Sequence, residues 1–404
     1  MGQGVLRVYQ EDWFPFQNLP RALRAFTEAT GIRTELVWDT VGVGTIEHMF
    51  DEMIQSFESD APRYDLICSD EVILREMAKR GRAVDLAARM RRDGITLGDV
   101  TESSRHAVTI GDQVLGLPCV NVSSMVLYRR DLLDRYGFPV PQNWTELRDI
   151  AGTLQAAVRR DEDREFYGFE TRGAAGGGHA VWTIGSFIGS HGASWLNEHG
   201  ELEPIGDGHH AAFDTYLRLL REVSPPDQGD ISFVEMRRDF ASGRVGMIMD
   251  VGMEYAHVLA NIPELADKAG VAMVPAGPTG RAPNLYCPPY AIPIGSDMKD
   301  EAWELAKYLS SPRQQLEDGT RSNAVEAASL SVLYSSEFDH HFRADLLATV
   351  RASRAVAKEE RPFDMGIAAS EVIGDAAHAA LVDGHSTDEL LQRIESGLRE
   401  LSGG

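Results

Sequence analysis

GDQVLGLPCVNVSSMVLYRRDLLDRYGFPVPQNWTELRDIAGTL, residues 111–154, is the stretch on which the fold turns. Gly111 and Asp112 predict a turn, with Gly111 supplying backbone freedom. Residues 114–117 form a short apolar run. Pro118 removes a backbone donor and stiffens the chain at one point. Residues 120–128 are apolar and β-branched with small polar interruptions, a pattern that predicts a buried strand. Residues 130–136 predict a short helix, stopped by Gly137 with Pro139 and Pro141 beyond it. Asn143 or Thr145 then caps an amphipathic helix with Leu147, Ile150 and Leu154 on one face.

Working outward toward the N-terminus, residues 5–9 alternate as a strand. Residues 19–30 are amphipathic and stop at Gly31. Residues 33–38 are a second strand, 45–57 a helix, 64–68 a third strand, and a helix runs on to Gly81. A β-α-β-α-β-α series implies a mostly parallel sheet covered by helices. Such sheets bind ligands outside the C-terminal ends of their strands. That places Gln10, Asp12, Trp13, Asp39, Thr40, Ser69, Asp70 and Glu71 at one rim. Toward the C-terminus, YGFETRGAAGGGH (167–179) is a strand running into a glycine-rich loop. Helices are predicted at 180–189, 212–223 and 233–241, and SGRVGMIMDVG (242–252) follows. Residues 271–276 are a strand, 286–294 an interrupted strand, 300–309 a helix, and the chain beyond 320 reads as helices.

These segments, in this order, resemble the extracellular solute-binding proteins of ABC importers, in the sugar- and polyol-binding branch. The resemblance is carried by GLP at 116–118, Tyr128, RRDLL at 129–133, GFPVP at 137–141 and NWTEL at 143–147. Also matching are YDLICSD at 64–70 and Phe240, Gly243, Gly246, Met247 and Gly252. It spans nearly the whole chain and is weakest from Ser329 onward. It implies an α/β, two-lobe fold, each lobe a mostly parallel sheet flanked by helices, with hinge crossings and a ligand cleft between the lobes. The N-terminal lobe is expected to take 1–118 and 278–318, and the C-terminal lobe 122–274 and 321–404. Hinges fall near 118–122, 274–282 and 318–322.

A chain of 404 residues is too long for one compact core. Its 43% hydrophobic and 25% charged content are those of an ordinary globular protein. No apolar run is long enough to span a membrane. The net charge of −23 argues against nucleic acid or an anionic membrane as partner. Cys68, Cys119 and Cys287 are far apart with no CxxC or Cys/His pattern, so a structural zinc site is not expected. An odd count leaves at least one free thiol. The N-terminus MGQGVLRVY has neither a basic nor an apolar leader region. Because the family implies a secreted, periplasmic protein, the chain reads as the mature portion with a start added. A cytosolic chain without a leader is the alternative.

Several motifs invite chemistry. GAAGGGH lacks the Lys-Ser/Thr of a phosphate loop, and no cofactor is expected. His209–His210 and His340–His341 read as solvated surface, since adjacent residues point apart on a helix, and no metal is expected. Asp70, Glu71, Asp250 and Glu254 could serve glycoside hydrolysis as paired carboxylates. In a binding protein the same groups accept hydrogen bonds from sugar hydroxyls, and the resemblance favours that use and no catalysis. Arg172 sits where the polyol branch carries an Arg. Its fork suits vicinal hydroxyls or an anionic group, and a surface ion pair is the other reading. Trp13, Trp38, Tyr286, Tyr290, Trp182 and Tyr255 are aromatic candidates for a sugar's C–H faces, with core packing as the alternative for each. Trp144 and Trp303 read as helix packing. Asn121, Gly252 and Arg321 complete the candidate set.

The expected function is capture of a small carbohydrate or polyol by a monomer that delivers it to the permease subunits of an ABC importer. The rivals are a periplasmic carbohydrate-active enzyme and a sensory sugar-binding subunit.

Overall fold

The computed structural model of the chain describes residues 4–11, 13–39, 46–68, 70–176, 180–197, 199–357 and 365–402. The chain divides into two compact units: Met1–Val122 with Tyr286–Leu347, and Ser123–Leu285 with Ala348–Gly404.

In the first unit the strands are β1 (Leu6–Glu11), β2 (Thr34–Asp39), β3 (Leu66–Cys68), the short pair β4 (Thr109–Ile110) and β5 (Gln113–Val114), β6 (Gly116–Pro118) and, late in the chain, β12 (Pro289–Ala291). Its main sheet has the order β2-β1-β3-β12-β6. β1 runs parallel to β2 and β3, and β12 runs antiparallel to β3 and β6. Central β3 is buried along its whole length, which is why residues 66–68 are uniformly apolar. The helix Leu19–Thr30 covers the sheet with Leu19, Ala22, Leu23 and Phe26, the helical spacing of one face. Gly31 ends it with φ 76°, a left-handed conformation suited to a residue without Cβ.

In the second unit, β8 (Tyr167–Glu170), β9 (Val245–Val251) and β10 (Ala269–Met273) join β7 (Val122–Arg129) in the order β10-β7-β9-β8. β11 (Leu285–Tyr286) lies at the division between the units. This second sheet is mixed, not mostly parallel. β7 runs antiparallel to both β9 and β10, and only β8 and β9 are parallel. The helix Trp144–Glu162 is capped by Asn143, whose Oδ1 accepts from Glu146 N at 2.9 Å. Trp144 stacks on Phe187 with centroids 4.1 Å apart. Trp303, in the first unit, donates its Nε1–H to Asp93 at 2.7 Å.

Two expected boundaries move. The sequence predicts a crossing near 318–322, yet the chain stays in the first unit to Leu347. Asn323, at φ 55°, turns the chain back, and Leu330 N donates to Asp99 O at 2.7 Å. The Asp99 carboxylate accepts from Ser329 and Ser331, and Leu333 and Phe338 are fully buried. The return crossing falls at Leu285 instead of within 274–282. Asn284 holds this stretch in the second unit: its N–H reaches Ser124 Oγ at 2.8 Å and its Nδ2 reaches Trp182 O at 2.7 Å.

His209 also departs from expectation. It is buried, its Nδ1 accepts from Gly206 N at 3.2 Å, and its Nε2 faces Ser194 O at 3.1 Å. Burial holds its ring below the usual histidine range. His340 and His341 are exposed.

Candidate functional site

The first unit's candidates gather at the C-terminal ends of its parallel strands. Gln10 in β1 stands opposite Trp38 of β2 and Cys68 of β3. Its side chain is fully buried, and among the described residues neither Oε1 nor Nε2 has a hydrogen-bond partner. A buried carboxamide in that condition is uncommon, because most buried polar atoms are paired. Trp13 and Tyr286 are half-buried, with ring centroids 6.2 Å apart. Asp12, Thr40 and Ser69, and the side chain of Asp39, lie outside the described residues.

Other candidates in this unit have structural employment. Asp70 caps the helix Glu71–Lys79, its Oδ1 accepting from Val72 N at 2.9 Å. Glu71 is the first residue of that helix and is buried. Asn121 donates to Thr101 Oγ1 at 3.1 Å and to Ser104 Oγ. It thereby ties the strand end to the start of the helix Glu102–Val108. Tyr290 is buried in β12 beside Cys68 and Leu117, a core position. Arg321 ends the helix Pro312–Ser322 and is exposed.

The second unit assembles a different object. Arg172 follows β8, and its Nε and Nη2 donate to Asp250 of β9 at 3.3 and 2.6 Å. The Arg172 side chain is 12% exposed and the Asp250 side chain 0%. This is therefore a buried bidentate pair, not the exposed ion pair weighed from sequence. The guanidinium lies over Trp182 at 5.2 Å and over Phe233 at 5.3 Å. Arg237 also lies over the Phe233 ring, at 5.9 Å. Arg237 makes a second bidentate pair, to Glu254 at 2.7 and 2.6 Å. Burial lifts the Asp250 carboxyl above its ordinary range, against the pull of Arg172 and with a push from Glu254. Burial works against the Arg237 charge, but the hydrogen-bonded Glu254 carboxylate outweighs it and holds the guanidinium above its usual value.

The backbone explains why these groups meet. The parallel pairing of β8 with β9 sets Glu170 opposite Ile248, so the residues after each strand leave the same end of the sheet. Gly252 starts the helix Met253–Asn261 and donates its N–H to Ser123 O at 3.0 Å. That helix carries Glu254 on its first turn. Tyr255 is core: it is fully buried, with its hydroxyl donating to Ala269 O at 3.2 Å.

Phe233 and Arg237 were not singled out in the sequence. The available signal was their i,i+4 spacing on a helix opened by the Ser232–Glu235 capping box. Also unforeseen is the meeting of the cysteines. Cys68 and Cys119 Sγ are 3.6 Å apart, Cys119 donates to Pro288 O at 2.9 Å, and Cys287 is buried. Among the described residues no group of His, Cys, Asp and Glu could hold a metal ion, and no helix is long and apolar enough to cross a membrane.

Comparison with known proteins gives three findings. A model of the bacterial extracellular solute-binding protein family matches residues 17–316. A mannitol-binding protein of Pseudomonas aeruginosa is 30% identical over 219 residues, covering 53% of this chain and 49% of the relative. The chain thus matches about half the length of the curated relatives. Among solved structures, maltose-bound MalE3 of T. maritima superposes with a TM-score of 0.86 at 22% identity, over 98% of this chain and 99% of that one. The ribitol complex of a solute-binding protein from Agrobacterium radiobacter gives 0.83 at 19% identity, over 98% of each chain. At these identities the structural likeness speaks for the fold: two α/β lobes of the solute-binding type.

Proposed function

The chain belongs to the bacterial extracellular solute-binding protein family, and from that premise we propose that it captures a small polyhydroxylated solute, a polyol or a mono- or disaccharide. It works outside the cytoplasm and hands this solute to the permease subunits of an ABC importer. The mannitol-binding relative and the ribitol-bound neighbour support this class of ligand.

The observation that carries the reading is the Arg172–Asp250 pair with Arg237–Glu254 beside it. Four charges cancel in two bidentate pairs, so the cluster presents polarity without net charge. A carboxylate has about four acceptor positions, and Arg172 fills two of those on Asp250. Hydroxyls both donate and accept, and they suit such a surface. Fixed, mutually oriented donors and acceptors keep their geometry when water is displaced, which limits the ordering cost of binding. No step of bond making or breaking is part of the function.

A thermal-shift screen across alditols, sugars and sugar acids tests this. A ligand bound only to the native state at 100 times its Kd adds about 2.7 kcal/mol of stability. Neutral polyhydroxylated compounds are expected to raise the melting temperature, and mass spectrometry is expected to recover them unchanged. A flat response across the panel, or a chemically altered ligand, contradicts the proposal.

A further inference from the structure

Trp182 does not offer a ligand what a tryptophan in a sugar site usually offers. The residue is 5% exposed, and one face of its ring carries the Arg172 guanidinium at 5.2 Å. The neighbouring Phe233 ring carries Arg172 and Arg237 at 5.3 and 5.9 Å. Tyr255 is fully buried and its hydroxyl is spent on Ala269 O. The Trp182 and Tyr255 rings are therefore covered by a protein cation or by core, and the half-buried Phe233 ring carries two guanidinium groups. Meanwhile the Trp182 Nε1–H is buried and, among the described residues, has no acceptor. Indole nitrogen is a donor only, and native structures pair nearly all buried donors. The ring cannot swing freely to find a partner. Its own carbonyl is held by Asn284 Nδ2 at 2.7 Å, and its helix, Ala180–Ser190, is almost entirely buried.

We propose that Trp182 serves the solute as a hydrogen-bond donor through Nε1, and that the second unit thereby selects an acyclic polyol over a pyranose. This rests on reading the Arg172–Asp250 cluster as part of the ligand site. A pyranose has an apolar C–H face that needs an aromatic platform, and here the guanidinium takes that place. An alditol has no ring face. Its C–C bonds rotate, so one hydroxyl oxygen can accept from Nε1 while its neighbours meet Asp250 and Arg172. Asn284 is then a positioning residue, since it fixes the turn of helix from which Trp182 projects.

The test is calorimetric titration of wild type and Trp182→Phe with five- and six-carbon alditols and with the matching pyranoses. Phe keeps a ring under Arg172 and removes only the N–H and the second ring. Wild type is expected to bind the best alditol at least tenfold more tightly than any pyranose. Trp182→Phe is expected to lose roughly tenfold for the alditol, the scale of one hydrogen bond with its partner left unpaired. The melting temperature without ligand should fall only by what the lost buried ring explains, and loss of the unpaired N–H adds nothing to that. Where Trp182→Phe does not fold, the assigned Trp182 indole 15N–H resonance of wild type decides, and it should shift on alditol saturation. Unchanged alditol affinity in Trp182→Phe, an unmoved indole resonance, or a pyranose bound most tightly overturns the proposal while leaving solute capture intact. Wild type that binds neither class removes the underlying reading as well.

Discussion

The two units handle their polar candidates in opposite ways. In the first, Asp70 and Asn121 are consumed by helix starts, the strand end of β1 carries a buried neutral carboxamide, Gln10, and the Trp13 and Tyr286 rings are half-buried. In the second, the charged candidates find one another, and Arg172–Asp250 and Arg237–Glu254 share the Phe233 ring. The lesson concerns desolvation. A lone buried charge is costly, so a charged side chain in a covered site can cap a helix, recruit a counter-charge or keep a proton. Among the candidates, Asp70 of the first unit takes the first course and Asp250 and Glu254 of the second unit take the second.

Removing one partner breaks the second solution most directly. Asp250→Ala leaves Arg172 buried without its carboxylate and should cost about 3–5 kcal/mol of stability. Denaturant unfolding reads that loss. Asp250→Asn, which keeps the shape and part of the hydrogen bonding, should cost less. Equal and small effects in both would show that the pair is solvated and that the contrast between the units fails.

Each unit also buries a carboxyl with no cation to neutralise it fully, and this separates them by pH. Burial pushes Asp318 of the first unit up to about 6 and Glu170 of the second up to about 8, the latter with help from Asp239. Both folded-state values lie above the unfolded ones. At these two sites the folded protein therefore holds more protons, so the contribution of each to stability is fully present at low pH and is lost as pH rises through the folded value. Asp318 accounts for loss between about pH 4 and 6, and Glu170 for loss between about pH 4.5 and 8, at up to about 1.4 kcal/mol per pH unit for each group. Of these two groups only Glu170 still titrates between pH 6 and 8, so Glu170→Gln should remove its share of the slope there and Asp318→Asn should leave that slope unchanged. An identical slope between pH 6 and 8 in wild type and Glu170→Gln would contradict this.

The smallest effect belongs to the cap. Asp70→Ala should destabilise by about 1 kcal/mol, the usual cost of a lost N-cap oxygen, and Asp70→Asn by much less. A large loss of ligand affinity in Asp70→Asn would instead give Asp70 a part in binding and bring the first unit closer to the second.

Much of this was legible in the sequence where the signal was local. The helix Leu19–Thr30 with its Gly31 stop, the Asn143 cap and β7 all follow from periodicity and punctuation within a few residues. Asp250 and Glu254 were chosen for their chemistry and Arg172 for its place in a run resembling the polyol branch, and the three do come together. What was hidden depends on pairing at a distance. Nothing near Asn323 says that the chain turns back onto the first unit, since that is decided by Asp99 more than two hundred residues earlier. Cys68 and Cys119, far apart in sequence, meet through the pairing of β12 with β3 and β6. Arg237 was passed over because a charged residue on an amphipathic helix looks like solvated surface until Glu254 is placed beside it.

The most direct test of the central claim is calorimetric titration of Arg172→Ala and Arg172→Lys with the tightest-binding neutral polyol. A charge-assisted hydrogen bond is worth about 1.5–3 kcal/mol, so Arg172→Ala should bind roughly ten- to a hundredfold more weakly. Arg172→Lys should recover little of this, since an ammonium cannot reproduce the fork that spans Asp250. Wild-type affinity in a folded Arg172→Ala would contradict the claim that the Arg172–Asp250 pair holds the solute.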